Sequence, residues 1–523
     1  NKNKSRSLLI YFLYNECNAR WIEGQSVVCV CNATYCDDIT RAAPKEGQFL
    51  AYTSSQAGSR FKKSEGILES RFSRNYSLVL DVNVSCTYQA CEGFGGAVTD
   101  AAGINWKSLP ETMQQFLIDS YFSKSGLEYN MVRLPIGGTD FSTYRYSYNE
   151  LPAGDVALAN YTLSPEDHLY KIPMMKAAMA VATAPIHVVS TTWSPPSWMK
   201  TGFDLSPYCG VLAPQYYQTY ADYHLKFIER YEAEGIPIWA VTTTNEPSNG
   251  LGTLVKFNCL GWTPDAMGYW IENNLGPTIR CSKFKDVKIL CCDDQRPNIP
   301  FWFNLLLDLH PKALQYIDGV AVHFYDDAST SPVYLTMTAR SHPDKLILAT
   351  EACEGFDGTG VVLGSWERAK NYVLDIMQDL NQYVVGWIDW NLCLDTEGGP
   401  NWIRNYVDSP IIVNAGAEEF YKQPMFYAMG HFSKFIPRGS RRLAVHPSRQ
   451  SNVTSVAFAT PRDTLVVVLY NDGEAETVTL RVSGGVGGVP GAEAAVPLDA
   501  HSVTTVELPR PRTRSNTCKN RSD

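Results

Sequence analysis

Short apolar runs and longer amphipathic stretches alternate along the middle of this 523-residue chain. The runs Phe94–Thr99, Met131–Pro135, Ile186–Ser190, Ile238–Thr242, Val287–Cys291, Val320–His323, Leu346–Thr350 and Val384–Trp390 read as strands. Between them, segments such as Tyr216–Glu234 and Ser365–Leu380 carry apolar residues at helical spacing. Eight such repeats, from about residue 91 to 391, predict a (β/α)8 TIM barrel of the α/β class. The competing arrangement is a doubly wound sheet with a glycine-rich nucleotide loop. Gly93-Phe94-Gly95-Gly96 lacks the required G-x-G-x-x-G spacing, so these glycines are expected to give a bulge and close backbone packing in the first strand.

After Phe435 the period shortens. Val453–Phe458, Thr464–Tyr470, Thr477–Val482 and Val503–Leu508 alternate or run β-branched, with turns at Asn471-Asp472-Gly473 and the glycine-rich Gly484–Gly491. They predict a small antiparallel β-sandwich. Ala42–Val84 has similar strand composition, so the sandwich is expected to take strands from both ends of the chain.

Two of the barrel runs lead into a glutamate. Ile238-Trp239-Ala240-Val241 precedes Thr244-Asn245-Glu246-Pro247, and Leu346-Ile347-Leu348 precedes Ala349-Thr350-Glu351-Ala352-Cys353. A carboxylate at the end of a buried strand must be desolvated or set in a cleft. By strand count the two acids end strands four and seven, nearly opposite each other at the top of the barrel. Paired carboxylates there are the working parts of a glycoside hydrolase, whose oxocarbenium-like transition state needs an acid on one side and a nucleophile or base on the other. Either glutamate alone fits a solvated loop equally well; the matched pair favours chemistry.

Glu246 is the candidate acid, because Asn245 can set its amide beside a sugar hydroxyl and Pro247 fixes the chain leaving the strand. Glu351 is then the candidate nucleophile, its charge keeping Glu246 protonated until glycosylation removes that charge. A carboxyl separation of about 5–5.5 Å predicts retention of anomeric configuration, and one of about 6.5–9.5 Å inversion. Arg133, inside the second strand, is expected to hydrogen-bond the nucleophile; a structural salt bridge would use the same contact. His323 and Tyr325, at the end of strand six, are expected to orient or donate to Glu351. Trp193, Trp390 and Phe141 lie near strand ends, where core packing and sugar stacking are both open. Asp140 beside Phe141 is suited to accept from sugar hydroxyls.

Composition narrows the setting. A net charge of −9 provides no basic stripe for nucleic acid. The cluster Cys17, Cys29, Cys31 and Cys36 has no nearby His and no CxxC pair, so disulfides in an oxidising compartment fit it better than zinc. Sequons at Asn32, Asn75, Asn83, Asn160 and Asn452 point the same way. Lys2, Lys4 and Arg6 before Leu8–Leu13 read as the remnant of a signal peptide, with an N-terminal strand as the alternative. The nine His are scattered without a ligand spacing such as H-E-x-x-H; no metal and no cofactor are expected.

At these residues the chain resembles the animal lysosomal glucosylceramidases, or acid β-glucosidases. The likeness runs from Ser26–Cys36 to about Tyr470 and is carried by Gly93–Ala97, Asn245–Ser248, Asp293-Asp294-Gln295-Arg296, Gly398-Gly399-Pro400-Asn401-Trp402, Asp408–Val413 and Tyr421–Tyr427. It implies retaining hydrolysis of glucosylceramide to glucose and ceramide in the lysosome, at a membrane surface with anionic lipid and a saposin C-type activator. By motif match it makes Glu246 the acid/base, Glu351 the nucleophile, and Asp140, Trp193, Asn245, Trp390 and Asn405 sugar-pocket residues. It also implies the disulfides Cys17–Cys29 and Cys31–Cys36.

With the strand pattern, the resemblance divides the chain as follows. Residues 1–16 are the signal remnant. A small disulfide-containing β module takes 17–40 with about 392–423, and the sandwich takes 41–90 with about 440–509. The barrel takes 91–391 with about 424–439, and 510–523 is a disordered tail. Departures are Thr139 for a Cys, Thr244 for a Glu two residues before the acid, and an apparent extra pair, Cys86 and Cys91. A secreted hydrolase of other β-linked glycosides and a non-catalytic glycolipid-binding protein are the rival readings.

Overall fold

The computed structural model describes residues 17–69, 78–203, 206–252, 255–483, 493–509 and 516–517. At its centre is a closed barrel of eight parallel strands: β1 (Gly93–Ala97), β2 (Met131–Ile136), β3 (His187–Thr192), β4 (Ile238–Thr242), β5 (Lys288–Gln295), β6 (Gly319–His323), β7 (Leu346–Glu351) and β8 (Val384–Asn391). β8 pairs with β1, closing the ring. All eight expected strands are present, so the barrel reading holds.

Met131, Val189, Ala240, Leu290, Ala321, Leu348, Val385 and Ile388 form a separate apolar cluster drawn from β2 to β8. β1 adds no side chain to it because its glycines are pressed against β2. A Cβ on Gly95 would lie 1.9 Å from the Met131 carbonyl oxygen. Gly93, at φ +148°, would put one 1.8 Å from Asn130 Oδ1.

Helices cover the outside. Trp366–Asn381 starts at Ser365, whose hydroxyl accepts from the Arg368 amide at 3.4 Å, and buries Tyr372, Val373, Ile376, Met377 and Leu380 against the barrel. Pro424–Ser433 is buried at every position and packs on that helix, which seats it between the barrel and the accessory sheets. Among the described residues no helix is long and apolar enough to cross a membrane.

Two accessory sheets are each assembled from distant parts of the chain. A five-stranded sheet has the order Ala19–Trp21, Val27–Asn32, Glu419–Lys422, Ile411–Asn414, Cys393–Asp395. Cys17–Cys29 and Cys31–Cys36 are both disulfide-bonded at its amino-terminal edge. The sandwich is a ten-stranded sheet in which Leu78–Ala90 lies between Glu476–Val482 and Arg441–Pro447, and Gln48–Ser55 pairs with Ser502–Pro509. Glu69 and Glu493 exchange backbone hydrogen bonds of 3.1 and 2.9 Å, bringing the two ends of the sheet together and protecting its edges. The strands Arg441–Pro447 and Glu493–Leu498 were not anticipated.

Three expectations change. Cys91 is a free buried thiol and Cys86 is disulfide-bonded, so the two are not partners. A third described bridge, Cys209–Cys259, joins segments beside β4 and had no signal in the spacing. Within the tail read as disordered, Asn516–Thr517 pairs in parallel with Cys86–Thr87. The signal remnant, the turn at Gly484–Gly491 and the sequon at Asn75 lie outside the described residues. Asn160 and Asn452 are exposed, whereas Asn32 and Asn83 are half-buried.

Candidate functional site

Strands pointing the same way deliver their last side chains to one end of the barrel, and the polar residues gather there. Arg133 on β2 is fully buried and binds on three sides. Its Nη1 donates to Glu351 Oε2, and its Nη2 to Asn245 Oδ1 and Asp293 Oδ2, each at 2.8 Å. Burial works against its charge, but Asp293 and Glu351 outweigh that and raise its pKa.

Asp293 is the hub that sequence reading missed. Besides Arg133 it accepts from Thr191 (2.9 Å), Thr242 (2.8 Å) and Thr350 (2.6 Å), the hydroxyls at the ends of β3, β4 and β7. It reaches them because β5 bulges between Cys292 and Asp294, with φ +74° at Cys292 and +60° at Asp293. Burial opposes ionisation of Asp293, yet the Arg133 and His323 charges bring its pKa well below the usual carboxylate range. The expected end of this strand, Cys291, falls short of the bulge.

Glu246 follows β4 in a left-handed conformation, φ +43°, its amide donating to the Asp293 carbonyl at 2.9 Å. A non-glycine residue in that region is strained, and here the surrounding bonds hold it. Glu246 Oε1 accepts from Gln295 (2.9 Å) and meets His323 Nδ1 at 3.1 Å; Oε2 accepts from Asn249 at 2.5 Å. Gln295 and Asn249 had not been singled out. His323 was expected to serve Glu351, but it bonds Glu246 and, through Nε2, Asp293 Oδ1 at 3.1 Å. Tyr325 donates to Glu351 Oε1 at 2.7 Å. Thr244 spends its hydroxyl on the Thr192 carbonyl at 3.0 Å, within the barrel wall.

One ligand atom each from Glu246, His323 and Glu351 lies within 4.8 Å of the others, so an oxygen of one carboxylate comes within 4.8 Å of an oxygen of the other. Although burial works against it, the charges of Glu351 and Asp293 raise the His323 imidazole to about 10. A doubly protonated ring offers no lone pair to a metal. Of the other two acid or thiol groupings, Cys31 and Cys36 are bonded to each other, and Asp327, Asp375 and Asp379 surround the Arg296 guanidinium.

The raised His323 pKa makes a stability prediction. Its contribution is complete below the unfolded value near 6.5 and is lost as pH rises towards about 10. The unfolding midpoint of the protein is therefore expected to fall across that window, and less steeply in His323→Gln. Equal slopes in urea titrations of the two proteins would contradict the assignment.

Beside the carboxylates lies an aromatic wall. Trp193 and Trp390 stack at 5.1 Å, Phe141 meets Trp390 edge-on at 6.0 Å, and the Arg133 guanidinium sits 5.0 and 5.4 Å from the two indoles. Asp140 Oδ2 accepts from Asn401 (3.1 Å) and Asn405 (3.3 Å). Burial pushes the Asp140 carboxyl up to about 7 against those donors. Asn401, quoted in the sequence only as part of the string Gly398–Trp402, is a further residue of the site. Every expected pocket residue is thus brought to one end of the barrel, with Asp140, Asn401 and Asn405 forming a polar flank.

Comparison with known proteins gives the same architecture. Residues 91–436 match the glycosyl hydrolase family 30 TIM-barrel domain and residues 439–506 that family's beta sandwich domain. The chain is 42% identical over 466 residues to the lysosomal acid glucosylceramidase of Mus musculus, covering 88% of this chain and 89% of the relative. It is 42% identical over 467 residues to putative glucosylceramidase 3 of Caenorhabditis elegans, covering 87% and 88%. SrfJ from Salmonella typhimurium, at 23% identity, superposes with a TM-score of 0.80 over 88% of this chain and all of that one.

Proposed function

The chain belongs to glycosyl hydrolase family 30, and from that premise we propose that it hydrolyses glucosylceramide to glucose and ceramide with retention, using Glu351 as nucleophile and Glu246 as acid/base. The observation that carries this reading is that the two carboxylates face each other across the end of the barrel with an oxygen of each within 4.8 Å of the other. Glu351 attacks the anomeric carbon as the glycosidic bond breaks, and Glu246 passes its proton to the departing oxygen. The covalent glucosyl ester is then opened by water, whose proton returns to Glu246.

Arg133 and Tyr325 hold the Glu351 oxygens in the attacking direction, each from a different strand end. Asn245, its Oδ1 anchored on Arg133, keeps its Nδ2 protons for a sugar hydroxyl. Asp140 accepts from the hydroxyls of the ring edge, and Trp193 and Trp390 supply an apolar face for its C–H surface. The β-glucoside class of substrate follows from the family and its relatives; the ceramide aglycone, a lysosomal setting and a lipid surface follow from the likeness to the mouse protein. A saposin C-type activator and anionic lipid rest on the family resemblance alone.

A mechanism-based glucoside that traps the covalent intermediate is expected to label Glu351, read by peptide mapping. A label on any other residue would overturn the assignment. Glu246→Gln is expected to lose about 10²–10⁴-fold on glucosylceramide, whose alkoxide must be protonated to leave. It should lose far less on an aryl glucoside with an acidic phenol, where no proton is needed. Equal losses on both substrates would remove Glu246 from the acid role.

A further inference from the structure

At the other end of the barrel a cavity of about 500 Å³ is lined by Thr40, Arg41, Lys124, Ser125, Glu128, Thr183, Lys434 and Arg462. Its position follows from the chain: Lys124 to Glu128 precede β2, Thr183 precedes β3, and Lys434 follows the buried helix Pro424–Ser433. These are the amino-terminal ends of barrel strands, opposite the carboxylates. Arg462 comes from a sandwich turn, and Thr40 and Arg41 from the link between the small sheet and the sandwich. Three parts of the molecule therefore meet around one space.

The charge there runs against the rest of the protein. In a chain of net charge −9, four cations line the cavity. Only two carboxylates answer them: Glu128, bound to Lys434 (3.0 Å) and Arg462 (3.1 Å), and the buried Glu507, bound to Arg41. Lys124 has no acidic partner among the described residues, and Arg41 keeps Nη1 free. The walls are pre-organised. Lys434 Nζ donates to the Lys124 and Gly126 carbonyls at 2.5 and 2.8 Å, Ile39 N to the Ser125 carbonyl at 2.7 Å, and Arg462 Nη1 to the Lys434 carbonyl at 3.1 Å. Burial, with repulsion from Arg41 that Glu128 only partly offsets, lowers the pKa of both Lys434 and Arg462.

We infer that this cavity binds a soluble phosphate-type anion, taken up by Lys124, Arg41 Nη1 and Arg462 with the Thr40 hydroxyl beside it, the Thr183 hydroxyl donating to Glu128 at 3.2 Å. Phosphate chemistry could equally be presented by a lipid headgroup. A membrane that offers substrate to the catalytic end faces the opposite pole, which favours the free anion. Binding would fasten barrel, sandwich and linker together, and so would raise thermal stability.

The test is calorimetric titration of the full chain with inorganic phosphate at constant ionic strength, with Lys124→Gln/Arg462→Gln as the variant. Both residues are exposed and lie at the pole opposite the carboxylates, so hydrolysis of an aryl glucoside is expected to be unchanged. The wild-type protein should bind one phosphate saturably and melt about 2 °C higher when saturated. The double variant should bind at least about ten-fold more weakly and show no shift. No saturable binding by the wild type, or equal affinity in the variant, overturns the inference. In a second arm, flotation with phosphatidylcholine vesicles containing phosphatidylserine should be the same for both proteins; loss of flotation in the variant would overturn the assignment to a soluble anion.

Discussion

Glu351→Gly is expected to lose turnover on the order of 10⁴-fold or more, leaving the residual catalysis that binding and electrostatics supply without the nucleophile. The same variant should recover activity on an aryl glucoside when azide is added, because the missing carboxylate leaves room for a small anion on that face of the sugar. Azide arriving there gives the glucosyl azide of inverted, α configuration. Kinetics with and without azide, and product stereochemistry by NMR, decide the matter. Normal turnover by the variant, or a β-azide, would exclude Glu351 as the nucleophile.

Arg133→Met is expected to damage both folding and catalysis. Arg133 is fully buried and bonds Asp293, Glu351 and Asn245, so its loss strands two carboxylates in the barrel without their cation. Breaking a buried pair from one side costs about 3–5 kcal/mol. Asp293 is the worse placed of the two because it is fully buried, and His323 becomes its remaining charged partner. Turnover should fall at least about 100-fold, since Glu351 keeps only Tyr325 to orient it. Arg133→Lys restores the charge without the fork and should recover more stability than turnover, because a lysine cannot reach Glu351, Asn245 and Asp293 at once. Urea unfolding and kcat/KM on an aryl glucoside measure the two effects. A Met variant with wild-type stability and turnover would show that the buried network is dispensable.

The strands of the barrel were legible because parallel strands buried on both faces must be nearly continuous apolar runs. The two glutamates were legible because a carboxylate closing such a run is costly outside a cleft. What lay beyond reading was the network under them. Asp293 acquires its role from a bulge and two left-handed residues, and no local pattern in Cys291-Cys292-Asp293-Asp294 announces either. Gln295, Asn249 and Asn401 are common loop residues whose value lies in reaching Glu246 or Asp140 in space. The reassignment of His323 from one glutamate to the other turns on which nitrogen faces which strand end, a matter of register across β5, β6 and β7. Cys86 was matched to Cys91 by nearness in sequence, but Cys91 is buried alone where the chain enters the barrel.

Neither accessory sheet can be completed by a contiguous stretch of chain. The strand Val27–Asn32 has Ala19–Trp21 on one side but finds its other neighbour at Glu419–Lys422, and Leu78–Ala90 finds its neighbours at Arg441–Pro447, Glu476–Val482 and Asn516–Thr517. A ribosome releasing this protein from its amino end therefore delivers these strands hundreds of positions before their distant partners exist. During that interval the edge of Gln48–Ser55 that will take Ser502–Pro509 stands open to other chains. Stop codons late in the message would be as damaging as early ones: a product ending near residue 440 would retain every catalytic side chain yet leave Leu78–Ala90 without any of these partners. Its fate should be aggregation or degradation rather than partial activity.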